Sequence, residues 1–473
     1  MKRKVLFTHS YFLQFDPKQW EIMQPYAPLG TIYAAALLRE NGYETALHDV
    51  MFLDRADTIE PVLQSFKPDV VVVYDDGFNY LTKMCLTNMR EAAFDMARLA
   101  KQYGCTTVAS SSDSTDHYLK YLDNGFDYVI AGEAEHTLLE WINHFFAAAP
   151  VDLKLIPGLI FRNGPDIVKT PKRPVITDLD TLPFPAWDLV DVDQYKNAWR
   201  KKHGYFSINF ATTRGCPYKC NWCAKPIYGN RYNARTPEHV CNELKMLHDR
   251  YGFDHIWFCD DIFGLKPGWV KEFARLLKQA SLRIRFKIQS RADLLLSDEQ
   301  VQPLAEAGCE TVWMGAESGS QKILDAMDKG TTIAQIAEAT AQLRHHHIRT
   351  AFFLQFGYLG ETKEDIRMTF DMLKQLTPDE IGVSVSYPLP GTRFYEKVKA
   401  ELSKKTNWTD SDEMAVMFKG TYEPEFYKKL HRYAHTFYRK LQNDKKAKQL
   451  QLRALLKMPL YAFREFREKR ILK

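Results

Sequence analysis

No stretch of this 473-residue chain is both long and apolar. Its longest hydrophobic run, "VVVVY" at 70–74, has the length of a β-strand and falls far short of a membrane span. The start, "MKRKVLFTHSYF", lacks the apolar core and small-residue cleavage site of a secretory signal. Cysteine is scarce: eight residues in so long a chain are not a disulfide framework. A second thiol knuckle is also missing, because Cys241, Cys259 and Cys309 stand alone. There are no internal repeats and no low-complexity tracts. These absences lead us to expect a cytoplasmic, soluble protein whose clustered thiols bind metal.

What is present is ample material for packed cores. Hydrophobic residues make up 45% and charged residues 26%, and the length implies two or three domains. Charge is uneven. From Lys428 onward, 15 Lys and Arg face 3 Asp and Glu, an excess of +12, which leaves −7 for the rest of a chain of net charge +5. We read this tail as a solvated basic helix. A nucleic-acid or anionic-membrane contact, with Tyr461 and Phe463 as its aromatics, is the alternative.

Residues 1–150 alternate strand and helix signals in five β-α units. The strands are "KVLFTH", "ETALHDV", "PDVVVVY", "CTTVAS" and "FDYVIAG". Helices are expected over 28–43, 58–66, 81–103, 115–125 and 133–146. Such alternation implies a parallel sheet covered on both faces, with ligands at the carboxyl ends of the strands. Those ends carry His9–Ser10, Asp75–Asp76, Ser110–Ser111–Ser112 and Gly132–Glu133. Residues 151–205 are rich in proline and read as an ordered connector with one hairpin. Alternation restarts at 206 and runs to 400 as six β-α repeats, from "SINFATT" to "EIGVSVSYPLPG". That count fits a barrel or partial barrel with chemistry at the strands' C-terminal mouth. Thr236-Pro237-Glu238 and Thr362 are helix starts. Residues 401–473 read as helical and basic.

The cysteines of "GCPYKCNWC", Cys216, Cys220 and Cys223, follow the first barrel strand with spacing C-x-x-x-C-x-x-C. On a short loop all three thiols can reach one metal centre. A structural zinc requires four ligands, and a four-iron cluster held by three thiolates keeps one iron open for chemistry. His345–His346–His347 ends a helix, where positive charge suits the helix dipole, so we assign it no metal.

This motif, with Trp222 before its third cysteine, resembles the radical S-adenosylmethionine (SAM) enzymes. The resemblance implies a 4Fe-4S cluster whose open iron chelates SAM, and reductive cleavage of SAM to methionine and a 5′-deoxyadenosyl radical. It also implies SAM contacts from Trp222, Asp260, Asp261, Gln289, Arg291, Glu317 and Ser318. Carboxylates would suit the ammonium of SAM and the arginine its carboxylate. Upstream, "YAPLGTIYAAALLRENGYE", "FDYVIAGEAEHTLLEWI" and "LDTLPFPAWDL" resemble the cobalamin-binding class of that family. The fold this implies is an N-terminal Rossmann-like, flavodoxin-like sheet plus a partial TIM-type (β/α)6 barrel, with a helical C-terminal segment. Cobalamin contacts are then expected from Leu29, Gly30, Asp75, Asp76, Ser110, Ser111, Ser112, Gly132 and Glu133. The D-x-H-x-x-G motif that supplies a histidine to cobalt is absent, so we expect cobalamin without one; His9 and His117 are the residues that would contradict this.

The function so implied is methyl transfer to a substrate carbon, with SAM as both methyl donor and radical source. Radical cyclisation, ring contraction or another rearrangement on the same cofactors is the alternative within the class. A nucleic-acid or membrane-surface module without catalysis is the alternative outside it. The partners implied are a small-molecule or lipid-like substrate and an electron donor such as flavodoxin or ferredoxin, with no stable nucleic-acid partner. No residue is singled out as a catalytic acid or base.

Overall fold

The computed structural model describes residues 3–471 except 85, 150–151, 224–227, 404 and 406, with side chains as far as 447. The side chains of Tyr461 and Phe463 therefore lie outside the described residues.

The first sheet contains β1 (Lys4–Thr8), β2 (Glu44–His48), β3 (Val70–Tyr74), β4 (Thr106–Ser110) and β5 (Tyr128–Ile130). These five are parallel in the order β2-β1-β3-β4-β5, the flavodoxin-like arrangement. β6 (Leu159–Asn163) and β7 (Asp166–Lys169), the hairpin of the proline-rich segment, extend this sheet antiparallel beyond β5. Burial on both faces explains the continuous valine run of β3. Val70 and Val72 pack toward the helices Leu29–Glu40 and Glu135–Phe145, while Val71 and Val73 face the helices Glu60–Phe66 and Thr87–Gln102.

The second sheet has six parallel strands: β8 (Ser207–Phe210), β11 (His255–Phe258), β12 (Phe286–Ser290), β13 (Cys309–Glu317), β14 (Arg349–Phe356) and β15 (Glu380–Val385). Their spatial order follows the chain, as in an open (β/α) barrel. Two short strands, β9 (Thr213–Arg214) and β10 (Asn233–Ala234), pair antiparallel outside it. One apolar cluster runs without interruption from the first sheet into the barrel, from Val5 and Trp141 to Phe258 and Phe356. The helix starts read from sequence are present: the Thr236 hydroxyl accepts from His239 N, and Thr362 forms a capping box with Asp365.

Several elements differ from their reading: the helix read over 115–125 is split into Ser112–Asp116 and Tyr118–Asp123, the connector carries the helix Val192–His203, and the C-terminal helix begins only at Pro424. The helix expected over 81–103 is two helices, Tyr80–Lys83 and Thr87–Gln102. Leu86 is extended, and Thr87 N donates to Trp408 O from the C-terminal segment. The Thr82 hydroxyl bonds back to the carbonyls of Asp76 and Asn79, which closes the short first helix. The break turns Lys83 toward the barrel mouth. Among the described residues no helix is long and apolar enough to cross a membrane. The last helix, Pro424–Ile471, starts against the barrel, where the Tyr438 hydroxyl donates to Asp379 O.

Candidate functional site

The cysteine loop is pinched at its root by the β9–β10 ribbon. Gly215 opens it at φ 81°, and a Cβ there would stand 2.2 Å from the Arg231 carbonyl oxygen. No side chain fits. Gly215→Ala is expected to spread the root of the loop while the barrel stays folded. Iron retained after anaerobic reconstitution should fall ~10-fold or more, the scale of losses at residues that support metal ligands, with far-ultraviolet circular dichroism unchanged. Full iron retention would show that the root tolerates the change.

Asp260, at the end of β11, supports the same root. Its Oδ1 accepts from the backbone N–H groups of Thr212 (2.7 Å) and Thr213 (2.8 Å), and its Oδ2 accepts from the Thr212 hydroxyl (2.6 Å). Burial pushes this carboxyl up to about 7, against donors that favour the anion. Asp260 is thus occupied with the loop, not presented to a ligand as the sequence led us to expect. At the apex, Asn221 does similar work. Its N–H donates to Met327 O (3.0 Å), its side-chain NH2 to Ala326 O (2.8 Å) and Asp328 (2.9 Å), and its Oδ1 accepts from the Tyr358 hydroxyl (2.7 Å). Nothing local in the sequence marked Asn221, because its partners lie more than 100 positions downstream.

Cys216, Cys220 and Cys223 all line one cavity of about 320 Å³ at the barrel mouth. None is in a disulfide. Burial pushes the Cys223 thiol up to about 12, and Asp261 and the other two thiols add to the shift. Trp222, Asp261, Gln289, Arg291 and Glu317 line the same cavity. The Arg291 guanidinium lies 3.7 Å from the centre of the Tyr218 ring, with Nε on Asp293 (2.9 Å) and an NH2 on Lys329 O (2.8 Å). Its other terminal nitrogen is 3.7 Å from Cys220 Sγ. Glu317 follows a β-bulge, has φ 55°, and accepts from Lys329 Nζ at 2.8 Å. Burial opposes the Lys329 charge, yet Glu317 holds its pKa above the usual lysine value. Gly315 makes room for the pair: a Cβ there would meet Lys329 Nζ at 2.5 Å. Ser318 does not reach the cavity. It is buried, and its hydroxyl accepts from Ser320 N (3.1 Å) and lies 3.3 Å from Thr369 Oγ1.

The first sheet presses its strand ends onto this mouth. Lys83 Nζ pairs with Asp261 at 3.0 Å, so the cation that Asp261 meets is a lysine of the other domain. A second cavity, of about 480 Å³, shares Lys83, Cys220 and Cys223 with the first and is walled by Ser112, Thr115 and Asp116. Of the crevice residues expected to touch cobalamin, Ser112 and Asp76 stand at cavity walls. The others form the frame behind them. Asp75 accepts from Ser10 N (2.7 Å) and the Ser10 hydroxyl, and Asp76 from the N–H groups of Gly30 (3.0 Å) and Phe78 (3.0 Å). Burial raises both carboxyls. Leu29 is core, Ser110 O accepts from Asp75 N, Ser111 caps the helix Ser112–Asp116, and Gly132 turns the chain at φ 85°. Glu133 is committed elsewhere. With Glu135 it grips Arg214 of β9, at 2.5 and 2.7 Å, and it also accepts from Ile176 N. All three charged side chains are buried, and the guanidinium also lies near the rings of Tyr33, Phe78 and Tyr228.

Three thiols converge on the loop after the first strand of an open parallel barrel and face a cavity with a buried arginine, the arrangement that the resemblance to radical SAM enzymes implies. The family model "Radical SAM superfamily" matches residues 210–373. An uncharacterized methyltransferase of Pyrococcus horikoshii is 28% identical over 397 residues, covering 80% of each chain. The anaerobic magnesium-protoporphyrin IX monomethyl ester cyclase of Rubrivivax gelatinosus is 26% identical over 413 residues, 84% of this chain and 70% of that one. Among solved structures, the radical SAM methyltransferase TsrM of Kitasatospora setae, with cobalamin and a 4Fe-4S cluster bound, gives a TM-score of 0.68 at 20% identity, over 85% of this chain and 75% of that one. The cobalamin-dependent enzyme OxsB gives 0.67 at 17% identity, over 79% and 52%. Residues 210–373 thus match the radical SAM family model, and the fold of the chain is similar to that of TsrM and OxsB.

Proposed function

We propose that this protein is a cobalamin-dependent radical SAM methyltransferase acting on a substrate carbon. The observation that carries the proposal is a pair of adjoining cavities that share Lys83, Cys220 and Cys223, one walled by all three thiols and the other by Ser112 of the first sheet. Cys216, Cys220 and Cys223 would hold a 4Fe-4S cluster, and the fit rests on the cavity that all three thiols line. When bound, the cluster supplies the electron that cleaves SAM, and cobalamin carries the methyl group. Arg291, fixed against Tyr218 and Asp293, offers a cation to the SAM carboxylate; Gln289 and Glu317 offer polar contacts along the same wall. Asp261 and Lys83 close the mouth between the domains. Ser112 would face cobalamin across the cavity that it shares with Cys220 and Cys223.

Neither candidate histidine lines the described cavities. His9 is buried against Asp49 at 2.9 Å, and Asp49 also accepts from the Tyr195 hydroxyl (2.7 Å). His117 lies beside Asp113, which is bound by Arg90. Cobalt without a protein histidine is therefore expected. The test is anaerobic reconstitution with iron, sulfide and cobalamin, followed by turnover of SAM with a chemical reductant or reduced flavodoxin. Both S-adenosylhomocysteine and 5′-deoxyadenosine should form, and the Co(II) electron paramagnetic resonance spectrum should lack imidazole nitrogen coupling. Absence of S-adenosylhomocysteine under full reduction would overturn methyl transfer. Because the chain also resembles a cyclase, radical ring closure is the second reading, and product mass separates the two: only methylation adds a methylene unit.

A further inference from the structure

The thiol cavity opens, past Tyr80, Gln289, Trp313 and Ser384, into a third compartment of about 300 Å³. The barrel's lumen-facing residues Asn209, Trp257 and Lys287 sit in one register across β8, β11 and β12 and form part of its wall. Lys287 is unusual among the described lysines of the barrel lumen. Among the described residues it has no hydrogen bond and no ion pair; its ammonium lies 5.4 Å from the Trp257 ring centre and 5.8 Å from that of Tyr26. The other lumen lysine, Lys329, is neutralised by Glu317. Charged residues around the third compartment are Lys18, Lys287 and Asp76, and the Asp76 carboxylate is taken by two backbone N–H groups. The remaining lining combines the indoles of Trp257, Trp313 and Trp408 with aliphatic side chains such as Met51 and Met414 and polar ones such as Gln24 and Asn79. Asn209 donates to Ala27 O at 2.9 Å, which fixes its amide, and its buried Oδ1 has no donor. A buried ammonium without a counterion costs free energy that an anionic ligand recovers.

We propose that this compartment binds the substrate, a molecule with a flat apolar body and one acidic group, and that Lys287 pairs with that acidic group. The inference rests on the enzymatic reading above and adds its substrate class. Burial lowers the Lys287 pKa to about 8, offset in part by Glu380, so the ammonium is retained at neutral pH. The indoles of the lining offer flat apolar faces to the body, and the ion pair sets which carbon faces the thiol cavity. An anion of this kind has two sources, an acidic substrate and the phosphodiester of cobalamin itself. Lys287 stands with Asn209 and Trp257 in the barrel lumen, and this favours the substrate; Tyr11, Asp76 and Phe78 wall the same compartment, so cobalamin content is read beside binding.

The test uses the reconstituted enzyme and two probes of nearly equal shape, 2-naphthoate and the neutral 2-naphthalenemethanol, with binding read by quenching of tryptophan fluorescence. Wild type should prefer the carboxylate by at least ~10-fold, the value of one charge-assisted hydrogen bond of about 1.5 kcal/mol. Lys287→Met should erase that preference and leave alcohol binding, cobalamin content and SAM cleavage to 5′-deoxyadenosine in place. Lys287→Arg should keep the preference. Failure of the naphthoate preference with cofactors and SAM cleavage intact overturns the substrate class alone. Loss of cobalamin in Lys287→Met with naphthoate binding unchanged assigns the lysine to the cofactor and overturns the proposal. Loss of SAM cleavage in wild type would be a failure of the enzymatic reading instead.

Discussion

Alanine at Cys216, Cys220 or Cys223 is expected to abolish cluster assembly and reductive SAM cleavage together. Each thiol lines the one cavity, and their loop is held at root and apex by contacts that do not involve sulfur. The variants should therefore fold. The brown iron–sulfur absorption and 5′-deoxyadenosine formation should both fall to background, at least ~100-fold, because two thiolates do not hold a four-iron cluster. Cobalamin content should persist, since its crevice belongs to the other sheet. A triple variant that still cleaves SAM reductively would remove the loop from the mechanism.

The second large effect concerns stability. Arg214→Met is expected to cost about 3–5 kcal/mol, the scale for removing one partner of a buried ion pair. Glu133 and Glu135 would then remain buried without their cation, at 3% and 1% side-chain exposure. The measurement is the onset of unfolding in urea, because a chain with two sheets does not license one two-state free energy. Neutralising both carboxylates as well, in Arg214→Met with Glu133→Gln and Glu135→Gln, should recover most of the loss, since the uncompensated charges are its source. An Arg214→Met variant as resistant to urea as wild type would show that the clamp adds little. The clamp also joins Glu133 and Glu135, after β5, to the root of the cysteine loop, so cobalamin retention and cluster retention should fall together in the arginine variant.

Much of the architecture was legible in the chain. Strand–helix alternation and the valine run of β3 follow from local periodicity, and a period is a property of neighbours in sequence. The cysteine spacing was legible for a similar reason, because three ligands of one centre on one loop must be close along the chain. Arg291, Gln289 and Glu317 were placed at the cavity because strand ends of a parallel barrel converge. Asp260 and Ser318 sit at equally good strand ends yet turn into the frame. Which way a strand-end side chain points depends on the donors that surround it, here Thr212, Thr213, Ser320 and Thr369.

The sequence by itself determined the two parallel sheets, the thiol centre and the side of each sheet that carries chemistry. Only the tertiary structure decided how the two halves meet. The broken helix delivers Lys83 to Asp261 across 178 positions, and Arg214 finds Glu133 and Glu135 about 80 positions away. It also decided that Lys287, in the barrel lumen, makes no ion pair among the described residues and has only the more distant Glu380 to favour its charge. A buried charge is recognised by what surrounds it in space, and no local pattern along a chain encodes that surrounding.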